Sequence, residues 1–244
     1  MKNVIETKKL VKNYDSGSVV TKVLHGIDFA VKEGDFVAIM GPSGSGKSTL
    51  MYQLGLIDDP TSGSIFIEGK DVVNISAGDK QNFRLYELGF VFQDYALIPE
   101  LTAVENAMVP LIMMGASMAR ARETASEFLN KMGVGHRLNN LPSQLSGGEQ
   151  QRVSVARAVA HSPKILFADE PTASLYTEMS EQVMDVLLGL HKQGQTIVMV
   201  THESEYGALA ERVVYIRDGV IKDDFKSVDG RAANVKQIKQ RMGV

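Results

Sequence analysis

Met40-Gly41-Pro42-Ser43-Gly44-Ser45-Gly46-Lys47-Ser48-Thr49-Leu50 is the stretch from which the fold is read. It fits G-x-x-x-x-G-K-[ST], with Gly41, Gly46, Lys47 and Ser48 at the defining places. A loop that turns several backbone N–H groups onto a nucleotide's β- and γ-phosphates must be glycine-rich and able to take φ > 0. It also needs a cation that reaches around them, Lys47, and a hydroxyl for Mg²⁺, Ser48. Phe36-Val37-Ala38-Ile39-Met40 is an apolar run of buried-strand length, and the helix predicted from Ser48 turns its positive end toward the phosphates. The sequence predicts a phosphate cradle between a strand and a helix.

The chain has 244 residues, enough for one large α/β domain or a core with a small inserted subdomain. It is 44% apolar and 23% charged, an ordinary globular balance. A net charge of −3 supplies no global basic field for nucleic acid. Cysteine is absent, which excludes disulfides and thiolate metal sites and fits a reducing cytoplasm. No apolar run reaches 18 residues, and Met1-Lys2-Asn3-Val4-Ile5-Glu6 lacks the apolar core of a signal peptide. Attachment to a membrane is therefore expected through a partner.

Upstream of the cradle, residues 1 to about 35 alternate apolar and polar positions, as in an antiparallel sheet with one covered face. Tyr14 lies there beside Asp15-Ser16-Gly17-Ser18, where it can stack on adenine or sit half-buried. Ile65 to Lys70 reads as a short hairpin strand. Leu88-Gly89-Phe90-Val91-Phe92 is a second buried strand, ending at Gln93, which either meets Mg²⁺ or a water, or is a solvated loop residue. From about 95 to 160 the pattern is helical, predicting an inserted helical subdomain. Met108, Met113, Met114 and Met118 cluster in it. Core filling is the simpler account of them, and a pliable docking surface the other.

Leu145-Ser146-Gly147-Gly148-Glu149 opens a helix with Ser146 as N-cap and Glu149 completing a capping box. Two consecutive glycines suit a helix start that a second anion must approach, which suggests two copies acting together. Lys164-Ile165-Leu166-Phe167-Ala168-Asp169-Glu170 is a buried strand ending in two carboxylates: Asp169 suited to Mg²⁺ through its water shell, Glu170 to polarising the attacking water. Thr196 to Thr201 repeats the design with His202 at its end, able to hold the γ-phosphate and that water in register. Four apolar strands thus deliver polar groups at one end, and arginine-to-isoleucine 212–221 reads as a closing hairpin. Beyond it lies a short tail, 222–244, carrying Lys226, Arg231, Lys236, Lys239 and Arg241, expected as a solvated, frayed helix.

With these motifs in order, the sequence resembles an ATP-binding cassette ATPase to about residue 221. The resemblance implies a P-loop NTPase core with a parallel sheet, an N-terminal antiparallel β subdomain and an inserted helical subdomain: an α/β fold, with 1–92 and 161–221 as core and 93–160 as helical part. It implies an ATP cradle of Gly41, Ser43, Gly44, Ser45, Gly46, Lys47, Ser48 and Thr49, adenine stacking on Tyr14, and Mg²⁺ held by Ser48, Gln93 and Asp169. Lys47, Gln93, Glu170 and His202 are the expected catalytic set. The family's head-to-tail homodimer would place each ATP between one copy's phosphate loop and the other's Ser146, Gly147 and Gly148, with Gln93 and the helical part coupling to a membrane permease. Within the family, Gly41 to Ser48, Gly89 to Gln93 and Glu100 to Asn106 resemble the bacterial branch that serves lipoprotein release, macrolide efflux, antimicrobial-peptide resistance and cell division. Such a subunit is cytoplasmic, on the inner face of the membrane.

One position departs from the family. Pro171-Thr172-Ala173-Ser174-Leu175-Tyr176 puts Tyr176 where an aspartate usually meets the partner's phosphate loop. A phenol donates a hydrogen bond but is uncharged at neutral pH, so altered cross-dimer communication is expected. Two other functions fit the motifs less well: a nucleic-acid-associated ATPase, for which basic stripe, coiled coil and cysteine-bound zinc are all missing, and a regulatory module that binds ATP but scarcely hydrolyses it, which only Tyr176 supports.

Overall fold

Three short, wholly buried and mostly apolar strands decide the architecture, because a strand buried on both faces reads as a near-continuous apolar run. In the computed structural model, which describes residues 2–228 and 230–243, these are β3 (Phe36–Met40), β7 (Ile165–Asp169) and β8 (Thr196–Val200), and every residue in them is buried. In chain order the elements begin with β1 (Asn3–Asp15), β2 (Val20–Lys32), β3, α1 (Lys47–Leu54), β4 (Ser62–Ile67), β5 (Lys70–Asp71) and α2 (Ala77–Glu87). Then come β6 (Leu88–Val91), α3 (Ala103–Met113), α4 (Met118–Lys131), α5 (Gly147–Val159), β7 and α6 (Thr177–Lys192). The chain ends with β8, α7 (Ser204–Gly207), β9 (Arg212–Arg217), β10 (Val220–Lys226) and α8 (Arg231–Met242).

The chain divides into two compact units, 1–80 with 194–244, and 81–193. In the first, β3 lies between β8 and β9, parallel to both, with Ile39 opposite Val200 and Val214. β9 and β10 form the closing hairpin. A separate antiparallel sheet runs β2-β1-β4-β5, and β1 buries Ile5, Thr7, Leu10 and Lys12, with Glu6, Val11 and Asn13 less buried between them and a register shift between Thr7 and Leu10. This is the alternation expected of a sheet covered on one face.

In the second unit β6 and β7 pair in parallel, Val91 opposite Ala168, and Phe90 stacks on Phe167 at 5.1 Å. The helices of 93–160 share this unit with β6, β7 and α6. The α3 start is capped by Thr102 with Glu105, and the fully buried Asn106 amide donates to the Ile98 and Leu101 carbonyls at 3.1 and 2.8 Å. That one side chain closes the loop leading into α3, which is why a polar residue is tolerated at zero exposure.

Two expectations need correction. The segment from 222 is not a frayed tail: 220–226 is strand β10, and α8 buries Asn234, Val235 and Ile238. Arg241, expected from sequence to be solvated, pairs with Asp223 at 2.8 Å and lies 4.5 Å over the Phe225 ring. The methionines are not all core filling either. Met108 is buried at 2% exposure, but Met113 and Met118 are exposed at 56% and 64%, on the surface of the helical unit.

Candidate functional site

The first unit brings together the phosphate loop and His202. Both follow the carboxyl ends of adjacent parallel strands, β3 and β8, and the Thr201 N–H donates to the Ile39 carbonyl at 3.2 Å. Strand ends of this kind are where open α/β sheets bind ligands. The loop is tightly wound. Gly41 has φ 154°, and a Cβ there would lie 2.0 Å from the Ile216 carbonyl oxygen, so only glycine fits. Gly44 and Gly46 take φ of 75° and 99°, and Gly46 leads directly into α1 with no side-chain cap, so the loop runs into the positive end of a helix, where anions are favoured. Lys47 is buried at 8% exposure and curls back, its Nζ donating to the Pro42 carbonyl at 3.0 Å. Ser45 Oγ is buried with no hydrogen-bond partner. A buried hydroxyl without a partner is costly, and an anion in the loop supplies one.

Tyr14 belongs to the same unit, at the end of β1. It is 44% exposed, donates from its hydroxyl to Asp58 Oδ2 at 2.8 Å, and has Lys12 Nζ 4.7 Å from its ring centroid. Partial burial, and then the Asp58 carboxylate, raise its pKa while the nearby Thr49 hydroxyl opposes them, so the phenol stays a donor.

The second unit brings together Gln93, Asp169 and Glu170, again at the ends of two adjacent parallel strands. Asp169 is buried at 4% exposure. Glu170 has φ 45°, a left-handed conformation that costs a residue with a Cβ about 1–2 kcal/mol. Strain of this kind concentrates where a side chain must be aimed. The segment after Gln93 is strained in the same way, with Tyr95 at φ 62° and Ala96 at φ 48°. Arg157, on α5, holds both: its guanidinium donates to the Tyr95 carbonyl at 3.0 Å and the Ala96 carbonyl at 2.6 Å. Burial lowers its pKa.

α5 opens as the sequence predicts. Ser146 Oγ accepts from the Glu149 N–H, and Glu149 Oε2 accepts from the Ser146 N–H at 2.8 Å. Burial works against the Glu149 carboxylate, but the Ser146 backbone and hydroxyl and the Arg137 guanidinium outweigh it and bring its pKa down to about 2. The two glycines have a steric reason that the sequence concealed. A Cβ at Gly147 would lie 2.8 Å from the Tyr95 hydroxyl, and one at Gly148 2.9 Å from Met179 Cβ. Tyr176 begins α6 without a side-chain cap and is 83% exposed.

Ser48, Gln93 and Asp169 offer a hydroxyl, an amide and a carboxylate, all oxygen donors of the kind a hard Mg²⁺ prefers. No group of three or more His, Cys, Asp or Glu able to hold a metal occurs among the described residues. Sequence reasoning overlooked Lys12, Asp58, Tyr95 and Arg157. Lys12 was open to discovery, since i and i+2 on a strand share a face with Tyr14. Arg157 also left a trace, as an arginine between Ala156 and Ala158 in an apolar helical stretch.

Residues 24–173 match the model of a family described as "ABC transporter". The lipoprotein-releasing system ATP-binding protein LolD of Aquifex aeolicus is 46% identical over 221 residues, covering 91% of this chain and 96% of the relative. The chain belongs to the ABC transporter family. It is an ATP-hydrolysing cassette of that family. Its fold agrees with the dimeric structure of the ABC transporter cassette MJ0796, at 38% identity and a TM-score of 0.87 over 93% of this chain and 100% of that one. A post-hydrolysis dimer of the same cassette, bound to ADP and Pi, gives a TM-score of 0.86 at 38% identity over the same shares of the two chains. The macrolide export ATP-binding/permease protein MacB of Brucella melitensis is 46% identical over 221 residues, but this chain covers only 34% of its length. The ABC chain described here thus spans about a third of the MacB relatives. No helix among its described residues is long and apolar enough to cross a membrane.

Proposed function

We propose that this ABC cassette dimerises head-to-tail around two Mg-ATP and drives a separate membrane permease of the lipoprotein-release and macrolide-export branch. The observation that carries the reading is the repeated design of the two units. Each ends a pair of adjacent parallel strands in groups that phosphoryl transfer requires: the Lys47 loop with His202 in one, Gln93 with Asp169 and Glu170 in the other. Phosphoryl transfer needs positioning and charge neutralisation more than covalent chemistry.

In this assignment the Gly41 to Thr49 backbone and Lys47 hold the β- and γ-phosphates. Bound Mg²⁺ would neutralise charge developing on those oxygens. Ser48, Gln93 and Asp169 would hold it, Glu170 takes the proton of the attacking water, and His202 keeps that water aligned with the γ-phosphate. The capped start of α5, with Ser146, Gly147 and Gly148, binds the γ-phosphate of the ATP on the second copy.

The permease seats in the second unit, in an apolar groove lined by Leu85, Phe90, Phe92, Val109, Pro110 and Met113 beside the strained Tyr95–Ala96 segment. The exposed Met113 gives that groove a pliable wall. This attachment would put the cassette on the cytoplasmic face of the membrane. The names of the LolD and MacB relatives, one an ATP-binding protein and one an ATP-binding/permease protein, support an integral-membrane partner. The acidic net charge of −3 speaks against nucleic acid as that partner.

Mixing two inactive variants tests the arrangement. Lys47→Ala removes the phosphate loop's cation, and Gly148→Asp adds a side chain and a negative charge to the α5 start. A mixed dimer keeps one intact site, made from the second variant's phosphate loop and the first variant's α5 start. Recovery of hydrolysis on mixing is the expected result. If each variant is inactive alone and the mixture is also inactive, while the two demonstrably associate, sites shared between copies are refuted.

A further inference from the structure

Tyr14 is not a lone aromatic but one member of a closed cluster. Lys12, only 9% exposed, approaches its ring at 4.7 Å and donates to Asp58 Oδ1 at 2.7 Å and to the Asp59 carbonyl at 2.6 Å. The second Asp58 oxygen accepts the Tyr14 hydroxyl at 2.8 Å. One carboxylate therefore fixes both the ring's polar tip and the cation on its face. Asp58 is itself mounted on the phosphate-loop helix. The backbone folds back onto α1 through Gly55 N–H to Met51 O at 2.9 Å, Ile57 N–H to Tyr52 O at 2.9 Å and Asp58 N–H to Tyr52 O at 3.3 Å. The end of β1 is stitched to the same turn, Thr61 N–H donating to the Val11 carbonyl and Asn13 N–H to Thr61 Oγ1, both at 2.9 Å.

We propose that Lys12 and Asp58 are positioning residues that lock the Tyr14 ring at a set distance from the phosphate loop, so that it stacks on the base of the nucleotide whose phosphates that loop holds. The inference rests on the reading of Tyr14 as the base-stacking residue and adds what makes that ring competent. Lys12 covers one face while Tyr14 stays 44% exposed, which leaves the opposite face to a purine. A buried cation behind the ring draws π density toward itself, and the open face becomes a better partner for an electron-rich base. Locking the ring in advance also removes the ordering cost that stacking would otherwise carry. The charges facing the cluster support the lock. Burial works against the Asp58 carboxylate, but Lys12 and the Tyr14 hydroxyl outweigh it and hold its pKa below the usual range.

The test compares binding of ATP with binding of inorganic tripolyphosphate, which has the phosphates and no base. Tyr14→Ala should weaken ATP about tenfold and leave tripolyphosphate unchanged, as expected for one base stacked on an aromatic ring. Lys12→Met and Asp58→Asn should reproduce about a threefold to tenfold part of that loss, again for ATP alone, and Lys12→Arg, which keeps a cation over the ring, should restore it. Adding Tyr14→Ala to Lys12→Met should produce no further loss beyond Tyr14→Ala alone. If Tyr14→Ala leaves the ratio of the two affinities unchanged, base stacking on Tyr14 is refuted. If Tyr14→Ala changes the ratio but Lys12→Met and Asp58→Asn do not, the stacking stands and the locking role is overturned. A loss of both ligands in parallel overturns it too, since that marks general damage to the loop.

Discussion

Arg157→Met should loosen the segment after Gln93 by an amount the structure allows to be worked out. Tyr95 and Ala96 both hold left-handed φ, at 62° and 48°, and such residues cost about 1–2 kcal/mol each, or about 2–4 kcal/mol for the pair. The Arg157 guanidinium offsets this with two hydrogen bonds, at 3.0 and 2.6 Å, to those residues' own carbonyls. A hydrogen bond from a charged donor is worth about 1.5–3 kcal/mol, and burying the guanidinium without a carboxylate takes back part of the sum. Methionine keeps the apolar stem and relieves that burial, so the net loss should be about 2–3 kcal/mol. It should fall on the loop more than on the fold. The Tyr95 N–H bonds the Phe92 carbonyl at 3.2 Å and the Ala96 N–H bonds the Asp94 carbonyl at 2.7 Å, so both amides report directly on the segment. Hydrogen exchange followed by mass spectrometry over 92–98 should show faster exchange in Arg157→Met, with α5 and β7 little changed. Arg157→Lys, which cannot fork to two carbonyls, should lie between. Unchanged exchange across 92–98, together with a urea-unfolding loss under about 0.5 kcal/mol, would refute the reasoning.

Other substitutions probe the remaining devices. Glu149 has its pKa brought down to about 2, so its contribution is present above the ordinary carboxylate value near 4.5 and is lost as pH falls toward 2. The stability gap between wild type and Glu149→Gln, up to about 3 kcal/mol at pH 6, should close on acidification, and a pH-independent gap would contradict this. His161 is held neutral by burial, with Nε2 3.1 Å from the Leu88 carbonyl and Nδ1 buried without a partner. Its folded pKa lies below the ordinary 6.5, so stability should drop as pH falls below that value, and His161→Gln should flatten the slope between pH 7 and 5 in urea titrations. Tyr176→Asp gives α6 the side-chain cap it lacks and should add about 1 kcal/mol of stability. It should also change ATPase rate or cooperativity, and if both stay at the wild-type values Tyr176 has no part in communication between copies.

The sequence made the fold legible wherever a polar residue interrupted an apolar run at a strand end. β3, β6, β7 and β8 are readable because four or five consecutive residues, nearly all of them apolar and buried, leave little else, and Gln93, Asp169, Glu170 and His202 stand out at their ends. Ser146 and Glu149 announced the α5 start through their spacing alone. What stayed hidden depends on contacts between distant residues. Nothing local connects Lys12 with Asp58, 46 residues on, or Arg157 with carbonyls 61 and 62 residues before it. The glycines at 147 and 148 read in sequence as an approach for an anion, and only the fold adds that Tyr95 and Met179 also leave no room for a Cβ there. Lys239 and Arg241 look like tail charges until the packing of Val235 and Ile238 draws α8 onto the unit. Helix burial of that sort is set by tertiary contacts rather than by propensity.

The most direct test of the account is sedimentation of wild type and Glu170→Gln in Mg-ATP, with phosphate release followed in the same samples. Glu170 is the one residue to which the account gives the proton of the attacking water. Its amide should therefore bind ATP, fail to hydrolyse it and accumulate as a dimer, while wild type hydrolyses and returns to monomer. Hydrolysis by Glu170→Gln at the wild-type rate, or a nucleotide-loaded Glu170→Gln that stays monomeric, would contradict the account.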